Sequence, residues 1–517
     1  MKKTHKLISS LILAIICAFF GTSVFSMRTD ITAVSADKVD AVTAAATVSQ
    51  NTTVTAAGAP VPERAVSTSS ADTVSTAVTT APPDDLPAEE ETSPATTVVT
   101  TAIPAPESEA GEPTEISETE PAPETETEPV TTSIETKVIN INITTTTTAP
   151  PEPVRTVINY TTQKAMWVSV FELNRILQGK TQAQFTQGFR EICNRSKAMG
   201  INTLYVHTRP FGDSFYPSNL FPWSAYVTGT FGRSPRYDPL KIMVDTAHSC
   251  GLSVHAWINP YRVSSLTNIY SAPDSYLVKK WLKDPASYPE YVSYAEVYGT
   301  YWLNPGIPEV RSLIIQGVKE IVNNYEVDGI HIDDYFYPTN DTSYDAAAYA
   351  KYGGGKTLTQ WRLFNCTATV KAIYDTVKAA DGRLLFGISP QGNYENNYLY
   401  LYADVDLWLS QKGYCDYLCP QVYYSYDFET KPFKDVLSQW ASLPRAEGVK
   451  LLIGLAPANI WLSKSFYDQT GIIGSQITDS LAVANGVALF RYDSLYADAG
   501  SVFRADNEIN AITKALK

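Results

Sequence analysis

Hydrophobic and polar positions from residue 161 onward follow two interleaved patterns. Short apolar runs, rich in β-branched and aromatic residues, alternate with longer segments of helical periodicity. The short runs predict eight β-strands, at residues 166–172, 201–209, 252–259, 327–334, 384–391, 417–425, 451–458 and 487–493. The longer segments predict helices at residues 184–199, 239–249, 308–325, 359–380, 433–447, 474–484 and 503–516.

Eight strand–helix units within residues 161–517 favour an α/β fold of the (β/α)8 or TIM-barrel type, whose active site lies at the C-terminal strand ends. A long insertion follows the third strand. A doubly wound open sheet is the alternative, but no GxGxxG motif follows the first strand and nothing else marks a nucleotide cradle. We therefore expect a barrel that acts without a cofactor.

The first 160 residues follow neither pattern. Three lysines precede an apolar run at residues 7–20, which is too short to span a bilayer comfortably, and small residues follow it. This order predicts a signal peptide over residues 1–36, with cleavage after Ser26 as the alternative. No later segment is long and apolar enough for a transmembrane helix, so we expect an exported protein that is secreted or associated with the cell surface or cell wall.

Residues 37–160 are rich in Thr, Pro, Glu, Ala and Val and contain no aromatic side chain before Tyr160. Such a stretch cannot bury enough apolar surface to offset the entropy lost on ordering, and its prolines and acidic blocks favour extended chain. We predict a disordered acidic linker, or stalk, followed by one folded domain over residues 161–517.

The charge divides in the same way. The stalk carries four basic and twenty acidic side chains, whereas the whole chain has a net charge of −14. The folded part is therefore close to neutral. A nucleic-acid-binding protein would present a basic surface stripe, so we expect no nucleic-acid partner.

Polar groups interleaved with aromatic rings follow the predicted strands. They read HTRPFGD at 207–213, WINPYR at 257–262, DDYFYP at 333–338, SPQGN at 389–393, PQVYYSYD at 420–427 and RYD at 491–493. Aromatic rings stack on the apolar faces of sugars, while amides, arginines and carboxylates hydrogen-bond hydroxyl groups. This mixture at a barrel mouth favours a carbohydrate ligand.

Seven motifs carry a resemblance to a known family. They are FGDSFYPS at 211–218, YDPLKIMVDTAHSCGLSVHAWINPYRV at 237–263, LNPGIPEVR at 303–311, VDGIHIDDYFYP at 327–338, KYGG at 351–354, FGISPQG at 386–392 and PQVYYSY at 420–426. Together they resemble the glycosyl-hydrolase-like family 10, a bacterial group of exported barrel proteins. The resemblance covers essentially all of residues 161–517. It implies a glycoside hydrolase and, for part of the family, a glycosidase acting on peptidoglycan glycan strands.

The fourth predicted strand provides the candidate catalytic groups. Period-two alternation places His331 and Asp333 on one face and the two isoleucines on the other. Isoleucines suit the helix-facing side, so Asp333 should point into the barrel and Asp334 should follow at its rim. Glycoside hydrolysis needs an acid and a second carboxylate, and adjacent carboxylates shift each other's pKa. We therefore predict Asp333 and Asp334 as the catalytic pair; the alternative is that one of them only caps or orients its loop.

Other rim residues are predicted to bind the substrate. They are Arg209, Asp213, Trp257, Asn259, Tyr261, Arg262, Asn304, Tyr335, Gln391, Gln421 and Tyr423. Arg209 either pairs with Asp333 or binds a substrate carboxylate such as a lactyl group. Asn304 closes the long insertion, which we expect to shape a wall of the cleft. Asp213 and Asp427 are the reserve catalytic carboxylates.

Three alternative chemistries remain open. DGIHIDDY at 328–335 and YYSYD at 423–427 loosely resemble motifs of family 18 chitinases, which implies substrate assistance, but Tyr335 occupies the chitinase glutamate position. His207, His255 and His331 could bind zinc with Asp333, although a hydrogen-bonded histidine layer is the preferred interpretation and no metal is expected. The protein could also hydrolyse another extracellular polysaccharide, or bind carbohydrate without cleaving it.

Overall fold

The computed structural model describes residues 155–496 and 502–517. The signal peptide and nearly all of the stalk predicted from the sequence lie outside the described residues. None of the helices described is long and apolar enough to cross a membrane.

The described residues form ten strands. They are β1 (Gln163–Val168), β2 (Thr203–Arg209), β3 (Ser253–Ile258), β4 (Val292–Ala295), β5 (Thr300–Leu303), β6 (Gly329–Ile332), β7 (Leu385–Ile388), β8 (Tyr417–Leu418), β9 (Lys450–Leu455) and β10 (Gly486–Leu489). Strands β4 and β5 form an antiparallel hairpin, and the other eight close into a parallel barrel in which β1 pairs with both β2 and β10. The predicted (β/α)8 barrel is confirmed, and the closed sheet excludes the doubly wound alternative.

Helices follow the strands around the barrel. They are α1 (Val170–Leu177), α2 (Gln182–Met199), α3 (Ala225–Thr228), α4 (Pro239–Ser249), α5 (Leu266–Ser271), α6 (Leu277–Lys283), α7 (Pro308–Asn324), α8 (Ala346–Tyr352), α9 (Leu358–Ala380), α10 (Tyr394–Leu399), α11 (Val405–Ser410), α12 (Phe433–Ser442), α13 (Asn459–Leu462), α14 (Lys464–Tyr467), α15 (Ile472–Leu481), α16 (Asp493–Tyr496) and α17 (Val502–Leu516).

Local signals fix where the main helices begin. Thr181 and Thr357 cap α2 and α9 in capping boxes, each with a glutamine three residues later that bonds back to the cap. Asp238 caps α4, and Pro239 stands at its first position, where no backbone N–H is needed. These caps explain why the helix boundaries were readable from the sequence.

Two apolar cores lie on opposite sides of the barrel wall. Ile330 and Ile332 of β6 belong to the larger core between the strands and the helices. A smaller core, which includes Trp167, Tyr205 and Tyr417, fills the barrel interior. A Cβ at Gly387 would overlap the ring of Tyr417, so this glycine leaves room for the ring inside the barrel. The β6 alternation predicted from the sequence is therefore confirmed.

The insertion after β3 contains α5, α6 and the β4–β5 hairpin. Trp302 of β5 is fully buried and donates its indole N–H to the carbonyl of Phe336, 2.8 Å away, in the loop after β6. Arg262 forms a backbone bridge with Trp302. The insertion is thus attached to the loops that follow β3 and β6.

Candidate active site

A cleft opens where the strands end. Its lining comes from the loops after seven different barrel strands and combines rings with polar groups: Trp167, Ser169, Val170, Phe171, His207, Phe211, Trp257, Arg262, Asp333, Asp334, Tyr335, Ser389, Gln421, Tyr423 and Phe490. Both predicted catalytic carboxylates therefore face the same space.

The two carboxylates have different partners. Asp333 is 5% exposed; its Oδ2 accepts the indole N–H of Trp257 at 3.2 Å, and its Oδ1 has no hydrogen-bond partner among the described residues. Asp334 is half-buried, and its Oδ1 accepts the amide N–H of Gln421 at 3.0 Å. Gln421 is itself held by the carbonyl of Ser389, 3.1 Å away.

These surroundings separate the pKa values of the pair. Burial raises the pKa of Asp333 well above its usual range, and the charge of Asp334 raises it further; Arg262 and the Trp257 hydrogen bond oppose this. Burial also raises the pKa of Asp334, but the hydrogen bond from Gln421 opposes that shift. The arrangement therefore favours a proton on Asp333 over a proton on Asp334.

Among the described residues of the cleft lining, one cationic side chain, Arg262, lies beside the pair. The guanidinium of Arg262 lies between two rings, 4.7 Å from the centroid of Phe211 and 4.1 Å from that of Tyr335. Tyr335 also makes an edge contact with Trp302 of the insertion at 5.9 Å. The insertion therefore supports this side of the cleft, as expected from its position in the sequence.

The three strand histidines form part of a hydrogen-bonded layer. Trp167 donates its indole N–H to Nε2 of His331 at 3.2 Å, so the Nδ1–H of His331 donates to the hydroxyl of Tyr417 at 3.0 Å. That hydroxyl in turn donates to Nδ1 of His255 at 2.9 Å. His207 lies nearer the cleft, where its Nδ1 accepts the backbone N–H of Val170 at 3.3 Å.

Burial lowers the pKa of all three imidazoles, and that of His255 falls to about 4. They are therefore neutral near neutral pH. Within the described ranges, no three His, Cys, Asp or Glu side chains converge as a metal site would require. The geometry is that of a packed histidine layer beneath the cleft.

Arg209 does not reach the cleft. A β-bulge between His207 and Arg209 shifts the register, so that Arg209 pairs with Ile258, which faces the helices. Its guanidinium lies 4.5 Å from the ring centroid of Phe221 and against Gly317 of α7. The expected pairing of Arg209 with Asp333 is therefore wrong, because the inward direction of Arg209 was inferred from regular alternation along the strand, without the bulge.

The other predicted residues divide into two groups. Trp257, Arg262, Tyr335, Gln421 and Tyr423 are brought together around the carboxylates. The following residues lie outside the cleft lining: Asp213, Asn259, Tyr261, Asn304, Gln391 and Asp427. Of these, Gln391 still contacts the pair, because its side-chain amide lies within hydrogen-bonding reach of Asp334.

Contacts of three residues outside the lining show structural roles. Asp213 accepts the backbone N–H of Phe211 at 2.9 Å, and Asn304 accepts that of Gly306 at 2.8 Å. The exposed Asp427 accepts the hydroxyl of Ser425 at 2.7 Å. Each carboxylate or amide thus stabilises its own loop.

Several lining residues were not identified from the sequence. Ser169 and Phe171 follow β1, and Phe490 follows β10. The segment SVFE at 169–172 comes directly after a strand, and this position was the available signal. Glu172 is completely buried there, where it caps α1 and forms an ion pair with Arg491 at 2.6 Å.

A closed (β/α)8 barrel whose mouth holds adjacent buried carboxylates among aromatic rings has the architecture of barrel enzymes that act on glycans. The family model described as "Glycosyl hydrolase-like 10" matches residues 162–469, so the chain belongs to this family. The resemblance carried by the seven motifs is confirmed, and with it the enzyme class, glycoside hydrolase.

Two curated relatives are similar over most of the barrel. Glycosyl hydrolase YngK of Bacillus subtilis (strain 168) is 34% identical over 321 residues, which are 57% of this chain and 61% of YngK. The chain thus spans less than two thirds of the length of YngK. Glycosyl hydrolase DigH of Escherichia coli (strain K12) is 31% identical over 378 residues, 68% of this chain and 85% of DigH.

Among solved structures, the glycoside hydrolase domain of PgaB (BpsB) from Bordetella bronchiseptica is similar. It has a TM-score of 0.47 and 11% identity, and covers 68% of this chain and 99% of that domain.

Proposed function

We propose that the protein hydrolyses glycosidic bonds of a glycan strand, with Asp333 as the general acid and Asp334 as the ionised carboxylate. The observation that carries this proposal is the pair itself: two adjacent carboxylates in one cleft, with different hydrogen-bond partners and with surroundings that raise the pKa of Asp333 more than that of Asp334. Such a difference is what glycoside hydrolysis requires of its two carboxyl groups.

Each group has a defined part in the reaction. Trp257 holds Oδ2 of Asp333, which leaves the unpartnered Oδ1 to donate a proton to the leaving glycosidic oxygen. Gln421 orients Asp334, whose negative charge stabilises the developing oxocarbenium ion and activates the attacking group. The rings of Trp257, Tyr335 and Phe490 line the space in which a sugar would stack. In the substrate-assisted alternative, Tyr423 would orient an acetamido group instead.

We propose peptidoglycan glycan strands as the substrate. The family resemblance supports this choice, and the neutral folded part argues against a nucleic-acid ligand. The signal pattern of residues 1–36 and the acidic stalk after it support a location outside the cell membrane, in secreted or cell-wall-associated form. Another extracellular polysaccharide remains the second candidate.

The test is a pair of conservative substitutions. Asp333→Asn and Asp334→Asn each remove a charge and a titrating proton while preserving shape, so turnover of purified glycan strands should fall at least about 100-fold. Asp427→Asn is the matched control, because it removes an exposed carboxylate outside the cleft. Mass spectrometry of the products reports the bond cleaved, and thermal unfolding reports folding.

The outcomes separate the remaining alternatives. Near-normal turnover in both cleft variants would exclude this pair as the catalytic groups. If Asp334→Asn mainly lowers the melting temperature, Asp334 orients its loop. If the unaltered protein binds the strands without cleaving them, the barrel is a binding module.

A further inference from the structure

In the part of the chain that the structure describes, Arg262 is the one arginine that lines the cleft. It lies in the loop after β3, is only 6% exposed, and its Nε has no hydrogen-bond partner among the described residues. The two rings that enclose it, Phe211 and Tyr335, hold the guanidinium plane in place. It is therefore a rigid, largely desolvated cation beside the space for the substrate.

The buried arginines among the described residues have different surroundings. Arg362 pairs with Asp345 at 2.6 Å, and both side chains are fully buried. Arg209 is buried without a carboxylate partner, but it lies against Phe221 and Gly317, away from the cleft. In the part of the chain that the structure describes, no carboxylate lies within ion-pair distance of Arg262, although Asp333 and Asp334 line the same cleft.

An unpaired buried charge is costly unless an anion compensates for it. Asp333 is a poor candidate for that anion, since its carboxyl group is buried beside a second carboxylate. Asp334 is oriented by a hydrogen bond from Gln421 and forms no ion pair with Arg262 among the described residues. A ligand carboxylate that enters the cleft would form the direct ion pair with Arg262 that the protein does not form. A guanidinium can bind a carboxylate through two parallel hydrogen bonds.

We propose that Arg262 binds a carboxylate on the substrate, so that the enzyme prefers glycans with an acidic sugar next to the scissile bond. This inference rests on the proposed function and names a feature of its substrate. Binding of a substrate carboxylate was a role considered for Arg209 from the sequence. The β-bulge turns Arg209 toward α7, and we assign this role to Arg262 instead.

The test compares two forms of one glycan. Peptidoglycan strands freed of stem peptides carry a carboxylate on the lactyl group of every second sugar; carbodiimide activation followed by borohydride reduction converts it to an alcohol without changing sugars or linkages. The unaltered protein should cleave the acidic strands with a kcat/KM about 10- to 100-fold higher than the reduced strands, which is the range for a charge-assisted hydrogen bond. This comparison needs no variant.

Substitutions of Arg262 then test whether this residue causes the preference for acidic strands. In Arg262→Gln the ratio of kcat/KM for the two strands should fall close to one, and in Arg262→Lys it should be intermediate, because the charge remains but the planar fork is lost. Arg383→Gln is the control: it removes an exposed guanidinium paired with Asp381 in the turn before β7, and should keep the ratio.

Two results would overturn the proposal: a ratio near one in the unaltered protein, or an equal loss on both strands in Arg262→Gln. The second result would mean that Arg262 acts only on the carboxylate pair. If no strand is cleaved at all, the proposed function fails, but calorimetric binding of the two strands still decides the inference. Preferential binding of the acidic strands that disappears in Arg262→Gln would support it, and equal binding would refute it.

Discussion

Asp213 is a buried carboxylate whose charge works against folding. It is 2% exposed, and burial raises its pKa from the ordinary value of 3.8 to about 6. The folded protein therefore holds the proton more tightly than the unfolded chain does. Stability from the protonated form is fully present below about pH 4 and is lost as the pH rises through about 6.

Asp213→Asn should remove this pH dependence, because asparagine stays neutral and keeps an oxygen for the N–H of Phe211. Relative to the unaltered protein, the variant should gain roughly 2–3 kcal/mol between pH 4 and pH 7. Urea unfolding at several pH values measures the difference. The exposed Asp427→Asn serves as the control, and a difference that does not vary with pH would contradict the pKa shift.

Side-chain directions at single residues could be predicted only where the strand is regular. The alternation in β6 correctly placed His331 and Asp333 inside, because no residue is inserted between them. The same rule failed at Arg209, where one extra residue enters β2 and reverses the face. Bulges carry no simple sequence signal. The sequence alone therefore could not decide whether Arg209 or Arg262 is the cation in the cleft.

At the scale of elements, strands β1, β3, β6 and β8 are joined through side chains inside the barrel. Trp167, His331, Tyr417 and His255 form a continuous series of hydrogen bonds across these strands. Because these side chains are buried, a hydrogen bond lost from this series would leave a polar group without compensation for its burial. The series therefore supports the floor of the cleft and fixes the neutral form of each imidazole.

Tyr417→Phe should destabilise the barrel while leaving the cleft residues in place. It removes the hydroxyl that His331 donates to and that donates to His255, and an unsatisfied buried group costs about 1–3 kcal/mol. Tyr344→Phe is the control, since the hydroxyl of Tyr344 is also buried but has no hydrogen-bond partner among the described residues. Equal melting temperatures for the two variants would refute the role of the series.

Strands and long helices were predictable because each combines periodicity with caps or a regular alternation. The β4–β5 hairpin was not, because its strands have only four residues each and its Tyr294 is exposed although it lies opposite Tyr301. β8 was expected over nine residues but has two; beyond Leu418 the continuous ladder gives way to isolated bridges from Gln421 to Gln391 and Gly454, where Gln421 and Tyr423 line the cleft. The segment that lines the cleft is therefore not part of the regular strand, and β8 is shorter than expected.

At the scale of the whole molecule, the folded unit extends beyond the boundary expected at residue 161. Residues 155–160 contact loops that precede the barrel strands. The N–H of Ile158 donates to Asp328 at 2.5 Å, the amide of Asn159 to the carbonyl of Arg383 at 2.7 Å, and the hydroxyl of Tyr160 to the carbonyl of Gly251 at 2.5 Å. This short segment therefore attaches to the N-terminal end of the barrel, opposite the cleft.

Asp328 is the residue through which this attachment contributes to the stability of the barrel. It is fully buried before β6, and its second oxygen accepts the N–H of Val254 at 2.6 Å and contacts Nε2 of His248 at 2.9 Å. Loss of Ile158 would leave one oxygen of a buried carboxylate without its N–H donor. This loss of stability would arise at the end of the barrel that does not contain the candidate catalytic pair.

A chain that begins at Thr161 should therefore be less stable than one that begins at Arg155, with unchanged turnover. Each lost hydrogen bond contributes about 0.5–1.5 kcal/mol, so several together should lower the melting temperature by a few degrees. Asn159→Ala and Tyr160→Phe in the longer chain should each reproduce part of the loss. Calorimetry and kcat/KM on one glycan are measured in parallel. Equal melting temperatures would show that residues 155–160 only lie against the barrel, whereas a fall in kcat/KM at equal stability would mean that this end of the barrel is coupled to the cleft.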